Sequence, residues 1–287
     1  MKKILFFETA EFTGATRVTR TLAKAARQKY EVAFANVGDN VKEDVETAIE
    51  AENPDILFSS FIKINPEVIE IGKANGLTVV VRTDYKLSDI SDDCRKRIEE
   101  TYPLADCLIA QTEEMGNELK NIKGVNPERA KILENPIDEE DILQKAMMPN
   151  PFKDNGCFHF LWVGREDPIK DIPTLKKAFE LVHQQYPNSD LTLVTNDENP
   201  YRWMKNTDCL VISSKSEASP NVLRESLFLG TPVISTDCSP TVGKLLPAKW
   251  IVPIGNHEEM AKAMMAMIKE KNRIEIDNNT HIWQTLH

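Results

Sequence analysis

Much of what this 287-residue chain can do is bounded by what it lacks. It has no run of about eighteen apolar residues, so no membrane-crossing helix is expected. Its opening MKKILFFETAEF has too short an apolar part for a secretory signal and turns acidic at once, so it reads as a first strand of a chain that stays in the cytoplasm. Cysteine is sparse: Cys94, Cys107, Cys157, Cys209 and Cys238 are odd in number and show no C-x-x-C spacing, which argues against a disulfide framework and a zinc site and for buried thiols. The first half has no histidine, and His159, His183, His257, His281 and His287 form no ligand cluster, so metal dependence has no support. Positive charge is short as well. A formal net charge of -10 disfavours a general nucleic-acid binder, because phosphate backbones demand a basic surface. Two local basic sets remain, Arg17, Arg20, Lys24 and Arg27 on the first predicted helix and Arg95, Lys96 and Arg97 on another. A solvated helix face is their default reading, and contact with anionic lipid or a phosphorylated acceptor is the alternative. Glycine is scarce where a nicotinamide-binding enzyme needs it. The loop after the first strand, ETAEFTGAT, holds one glycine where a dinucleotide fingerprint needs three.

The chain does contain a regular alternation of apolar strands and amphipathic helices, the pattern of an α/β protein with parallel sheets. Strands are predicted near residues 4–7, 32–35, 56–59, 78–81, 107–110 and 131–133, then near 158–163, 191–194, 209–213, 232–235 and 250–253. The length and the repeated plan give two Rossmann-like domains, 1–138 and 157–287, with the acid- and proline-rich 139–156 as a linker.

The stretch from Ser213 to Thr236, SSKSEASPNVLRESLFLGTPVIST, is the most informative. An apolar strand ends in a polar loop, and the loop becomes a helix, with Ser219 as a favourable N-cap, Pro220 at the first helical position, and Gly230 and Pro232 as the stop. Such a helix aims free N–H groups and a positive dipole end into the crevice at the carboxyl end of a strand, where a phosphate is stabilised. Glu217 precedes the helix and Glu225 lies inside it, eight positions on. Carboxylates repel phosphate but accept hydrogen bonds from hydroxyls. A pyrophosphate at the helix start, a sugar diol at Glu217 and a ribose diol at Glu225 satisfy both demands. Upstream, Phe160 to Asp171, FLWVGREDPIKD, places Arg165 and Lys170 in a loop after an apolar strand, a fork and a point charge suited to a diphosphate. Taken alone, each of these pairs would be ordinary surface residues.

Glu217 and Glu225 with Ser219, Pro220, Asn221, Val222, Leu223, Gly230, Thr231, Pro232 and Val233 resemble the E-x7-E region of glycosyltransferase family 4. Arg165 and Lys170 resemble that family's diphosphate-holding pair, and Glu134 to Asp138, ENPID, its turn at the end of the first domain. Gly14, Arg17, Val18, Leu22 and Ala23 resemble its first loop and helix, with one glycine of the family's pair kept. Further matches at Ala105–Leu119, Asp208–Ser214 and Pro253–Ile268 extend the likeness over nearly the whole chain.

The resemblance implies a GT-B fold, two Rossmann-like domains with parallel sheets facing a central cleft, and a retaining enzyme that moves a sugar from a UDP- or GDP-linked donor to a hydroxyl acceptor. Glycan, polysaccharide or glycolipid synthesis is the implied setting, with a glycan or lipid-linked acceptor and peripheral contact at the inner membrane surface. No metal or other cofactor is implied. Glu217, Arg165 and Lys170 carry the catalytic roles, and Gly14, Ser219, Pro220, Asn221, Val222, Leu223 and Glu225 bind the donor. Arg17 and Asp84 are the acceptor-side candidates. The chain departs from the family in two places: the first domain lacks the histidine often found there, and Asn196 to Asp208 has room for only a short helix, trimming the second domain. Two other classes stay open, a sugar-nucleotide epimerase on the same fold and a non-catalytic member that binds a sugar nucleotide or a partner.

Overall fold

The computed structural model describes residues 1–10, 13–153, 156–195, 197 and 199–270. The chain divides into two compact units, Met1–Pro136 and Ile137–His287.

In the first unit the chain runs β1 (Lys3–Thr9), α1 (Gly14–Ala26), β2 (Glu31–Val37), α2 (Val41–Glu52), β3 (Ile56–Ser59), α3 (Asn65–Ala74), β4 (Thr78–Arg82), α4 (Asp92–Thr101), β5 (Cys107–Ala110), α5 (Glu113–Lys120) and β6 (Ala130–Ile132). All the pairings are parallel, in the order β2-β1-β3-β4-β5-β6. Strands buried on both faces must be apolar along their length, and β1 keeps Leu5, Phe6 and Phe7 at 2% exposure or less. The helices lie close to this sheet. A Cβ added to Gly72 of α3 would come within 2.6 Å of Val79 and 2.7 Å of Leu57, so only glycine permits the approach.

The second unit continues with α6 (Glu139–Ala146), β7 (Phe158–Val163), α7 (Ile172–Gln185), β8 (Ser189–Val194), α8 (Tyr201–Asn206), β9 (Cys209–Ile212), α9 (Asn221–Phe228), β10 (Val233–Thr236), α10 (Pro240–Leu245), β11 (Ile251–Val252) and α11 (His257–Glu270). Its parallel sheet is ordered β11-β10-β9-β7-β8. Alternate residues of β7 serve opposite faces. Phe160 and Trp162 pack with α7 and α11, whereas Leu161 packs with Ile142, Tyr201, Met204 and Leu223 from α6, α8 and α9.

The stretch expected as a linker, 139–156, contains α6. Its acids Glu139, Glu140 and Asp141 occupy the helix's first turn, and Asp138, the residue just before the stretch, caps the helix by accepting from the Asp141 N–H at 3.2 Å. Ile142 and Ala146, one turn apart, are buried in the second unit's core. The thiols also differ from expectation: Cys209 and Cys238 are buried, but Cys94, Cys107 and Cys157 are partly exposed. Among the described residues no helix is long and apolar enough to cross a membrane.

Both sheets reverse direction at the first strand of their unit. β1 lies between β2 and β3, and β7 lies between β8 and β9. In an open parallel sheet the carboxyl ends at such a reversal diverge into a crevice, the usual ligand position. In the second unit that position is formed by the loops after β7 and β9, which carry Arg165, Lys170 and Glu217.

Candidate functional site

The loop after β7 is shaped by Gly164. A Cβ there would meet the Trp162 ring at 2.9 and 3.0 Å, so the chain turns off the strand close against the indole, with Arg165 as the next residue, exposed. Asp167 accepts from the Ile169 N–H at 2.9 Å and starts a short 3-10 turn, Pro168–Lys170. Asp171 then adopts the left-handed region at φ 49 and ψ 46, a conformation that aspartate tolerates better than most residues. Its carboxylate accepts from the Thr174 hydroxyl at 2.8 Å, fixing the corner where α7 begins.

The loop after β9 is laced to the first one. The Lys215 N–H donates to the Ile169 carbonyl at 2.7 Å and the Ser213 hydroxyl to the Lys170 carbonyl at 2.7 Å. On its other side the loop is held by the end of β10: Thr236 donates to the Ser214 carbonyl at 2.6 Å, the Glu217 N–H to the Cys238 carbonyl at 2.9 Å, and Ser239 to the Ala218 carbonyl at 3.0 Å. Burial and the adjacent Glu217 charge push the Cys238 thiol up to about 11, so it stays protonated at neutral pH.

Two candidate residues meet here. Lys170 Nζ donates to Glu217 Oε1 at 2.5 Å, and the Ser214 hydroxyl donates to the same oxygen at 2.8 Å. Their side chains are 23% and 17% exposed, so removing either partner leaves a largely desolvated charge without its counterion.

Helix α9 begins one residue later than its sequence suggests. Pro220 occupies the N-cap position with φ -68 and ψ 112, and its ring offers the helix no side-chain acceptor. Ser219, expected as the cap, lies one residue before that position and accepts from the Thr241 hydroxyl at 3.3 Å. Asn221 and Val222 form the first turn and are partly buried, and Leu223 is wholly buried. Glu225, in the second turn, is 4% exposed and its Oε1 accepts the Tyr201 hydroxyl at 3.3 Å. The structure therefore brings Lys170 and Glu217 into contact and turns Glu225 inward toward α8.

In the first unit Gly14 opens α1, behind a capping box in which Thr13 and Thr16 bond reciprocally. Arg17 lies one turn further on, partly buried. Asp84 follows β4 and accepts from the Ile62 N–H at 2.9 Å, bracing the loops after β3 and β4. Beside it Arg82 is fully buried; burial brings its guanidinium down to about 10, still charged at neutral pH, and it donates to the Asn135 side chain. Asn65 donates to both the Arg82 carbonyl, at 3.1 Å, and the Tyr102 hydroxyl, at 3.0 Å.

Sequence reasoning did not single out Glu8, which is buried at the carboxyl end of β1 and accepts two bonds of 2.9 Å from Arg20. An acid ending an otherwise apolar strand was its signal. It also did not find Tyr201, for which only the aromatic cluster around the short α8 was available. Among the described residues no group of three or more His, Cys, Asp or Glu could hold a metal ion.

Residues 134–270 match the family model described as Glycosyl transferases group 1. An uncharacterized glycosyltransferase of Methanocaldococcus jannaschii is 30% identical over 172 residues, 48% of this chain, and the match covers 41% of that relative's length. The N-acetylgalactosamine-N,N'-diacetylbacillosaminyl-diphospho-undecaprenol 4-alpha-N-acetylgalactosaminyltransferase of Campylobacter jejuni is 22% identical, over 90% of this chain and 87% of its own. Among solved structures, Anabaena HepE in complex with UDP superposes with a TM-score of 0.70 at 13% identity, over 95% of this chain and 91% of its own. The fold is GT-B, with two parallel-sheet Rossmann-like domains.

Proposed function

We propose that this chain is a retaining, family 4-like glycosyltransferase that moves a sugar from a nucleotide-diphosphate donor to a hydroxyl acceptor. The observation that carries the reading is the contact of Lys170 with Glu217 at the reversal point of the second sheet, beside the start of α9, whose N-cap position is held by Pro220. A cation and a helix N-terminus suit a pyrophosphate, while a carboxylate suits sugar hydroxyls. The Anabaena HepE structures bound to UDP and to UDP-glucose support the same ligand class.

Departure of the nucleoside diphosphate develops negative charge on its phosphate oxygens. Arg165, Lys170 and the α9 amino end stabilise that charge as it forms. The acceptor oxygen bonds to the anomeric carbon on the face that the diphosphate leaves and gives its proton to a phosphate oxygen, so the configuration is retained. Glu217 holds the donor sugar and Glu225 the ribose, with Ser219 to Leu223 around the phosphates. Gly14, Arg17 and Asp84 belong to the first unit, which takes the acceptor side. The Campylobacter relative's name specifies a diphospho-undecaprenol-linked acceptor, which supports a lipid-linked glycan as the acceptor class here and work at the inner membrane surface. The reaction needs no metal in this scheme.

A thermal-shift and calorimetric screen of UDP, GDP, ADP and their sugar derivatives, with and without EDTA, tests the reading. One nucleotide series should stabilise the wild type regardless of EDTA, and Arg165→Ala should lose that stabilisation. Binding by none of them would move the assignment to a non-catalytic partner-binding role.

A further inference from the structure

We propose that Tyr201 is a positioning residue for Glu225, orienting its carboxylate toward the ribose diol; this rests on the nucleotide-sugar reading of the site. Tyr201 is 3% exposed at the start of α8, and its hydroxyl donates to Glu225 Oε1 at 3.3 Å. Burying a phenol and a carboxylate is costly unless both are hydrogen-bonded, and in this pair the phenol donates and the carboxylate accepts.

The short helix that carries Tyr201 is fastened at both ends. Before it, Asp197 accepts from the Asn199 N–H and the Trp203 indole, each at 2.8 Å, and Asn199 donates to the Lys145 carbonyl of α6 at 3.0 Å. Towards its end, the Thr231 hydroxyl donates to the Met204 carbonyl at 2.6 Å. The Lys145 ammonium lies 6.0 Å from the Tyr201 ring centroid. The phenol is therefore held from α6, from its own turn and from the strand entry after α9. A carboxylate has about four acceptor positions, so the tyrosine bond takes one of them and does not by itself exclude a vicinal diol. What the tyrosine contributes is the rotation of the carboxylate plane, and hence the discrimination between a nucleotide with a ribose diol and one without.

The test compares UDP, GDP and ADP with their 2′,3′-dideoxy counterparts by calorimetry, in the wild type, Tyr201→Phe, Tyr201→Met and Glu225→Gln. For the nucleotide that binds, the wild type should prefer the ribose form, and Glu225→Gln should bring the preference close to one. Tyr201→Phe should lower it about fivefold, with Tyr201→Met, which fills the space without a hydroxyl, giving the same direction. Thermal unfolding of each variant identifies loss of folding. Equal weakening of both nucleotide forms in the tyrosine variants would make Tyr201 merely structural and overturn the proposal. An unchanged preference in both would overturn it too, while leaving the reading of the site in place. No preference in the wild type, or none lost in Glu225→Gln, would instead remove the ribose role of Glu225, and the proposal with it.

Discussion

Gly164 shows how one residue sets the chemistry available to its neighbour. The Trp162 ring is buried in the core between β7 and α7, so it cannot move aside for a new methyl group. Gly164→Ala must therefore shift the loop, and with it Arg165. Nucleoside diphosphate affinity should fall several-fold, while the melting temperature without ligand changes little; thermal shift with and without the diphosphate measures both. An unchanged ligand-induced shift would show that the loop tolerates the added carbon. Single residues were also where the sequence was most and least legible. Arg165, Lys170, Glu217 and Glu225 could be singled out because their residue types suit phosphates and hydroxyls. Their partners could not. Lys170 and Glu217 lie 47 positions apart and Tyr201 and Glu225 lie 24 apart, and only the fold decides such pairings.

Elements built on burial were legible for a physical reason. A parallel strand covered on both faces must be a continuous apolar run, and FHFLWV at β7 or CLVI at β9 leaves little alternative. Elements set by local polar bonding were harder. Glu139, Glu140 and Asp141 read as part of a linker but form the first turn of α6, and Ser219 read as the N-cap of α9 but that position falls to Pro220. The same competition governs Gly72, where helix propensity favours alanine by about 1 kcal/mol but the sheet leaves no room. Val79 and Leu57 are both fully buried, and overpacking a filled core costs about 1–3 kcal/mol. Gly72→Ala should consequently lower the melting temperature by a few degrees in calorimetric unfolding. A raised or unchanged temperature would mean that α3 can retreat from β3 and β4 without loss.

The molecule as a whole uses one plan twice, two parallel sheets whose order reverses at the first strand of each unit. The second reversal carries the cations and carboxylates of the candidate site. With a net charge of -10, the chain's overall field repels an anionic ligand, so any affinity for a diphosphate must come from local donors such as Lys170 and Arg165. That makes the contribution of the phosphates themselves the decisive quantity. It is measured by titrating the wild type and Lys170→Ala with the nucleoside diphosphate that binds and with the matching nucleoside. The diphosphate should bind the wild type at least tenfold more tightly than the nucleoside, about 1.4 kcal/mol, and most of that advantage should vanish in Lys170→Ala. Equal affinities for the two ligands in the wild type would contradict a pyrophosphate site at the β7 and β9 loops.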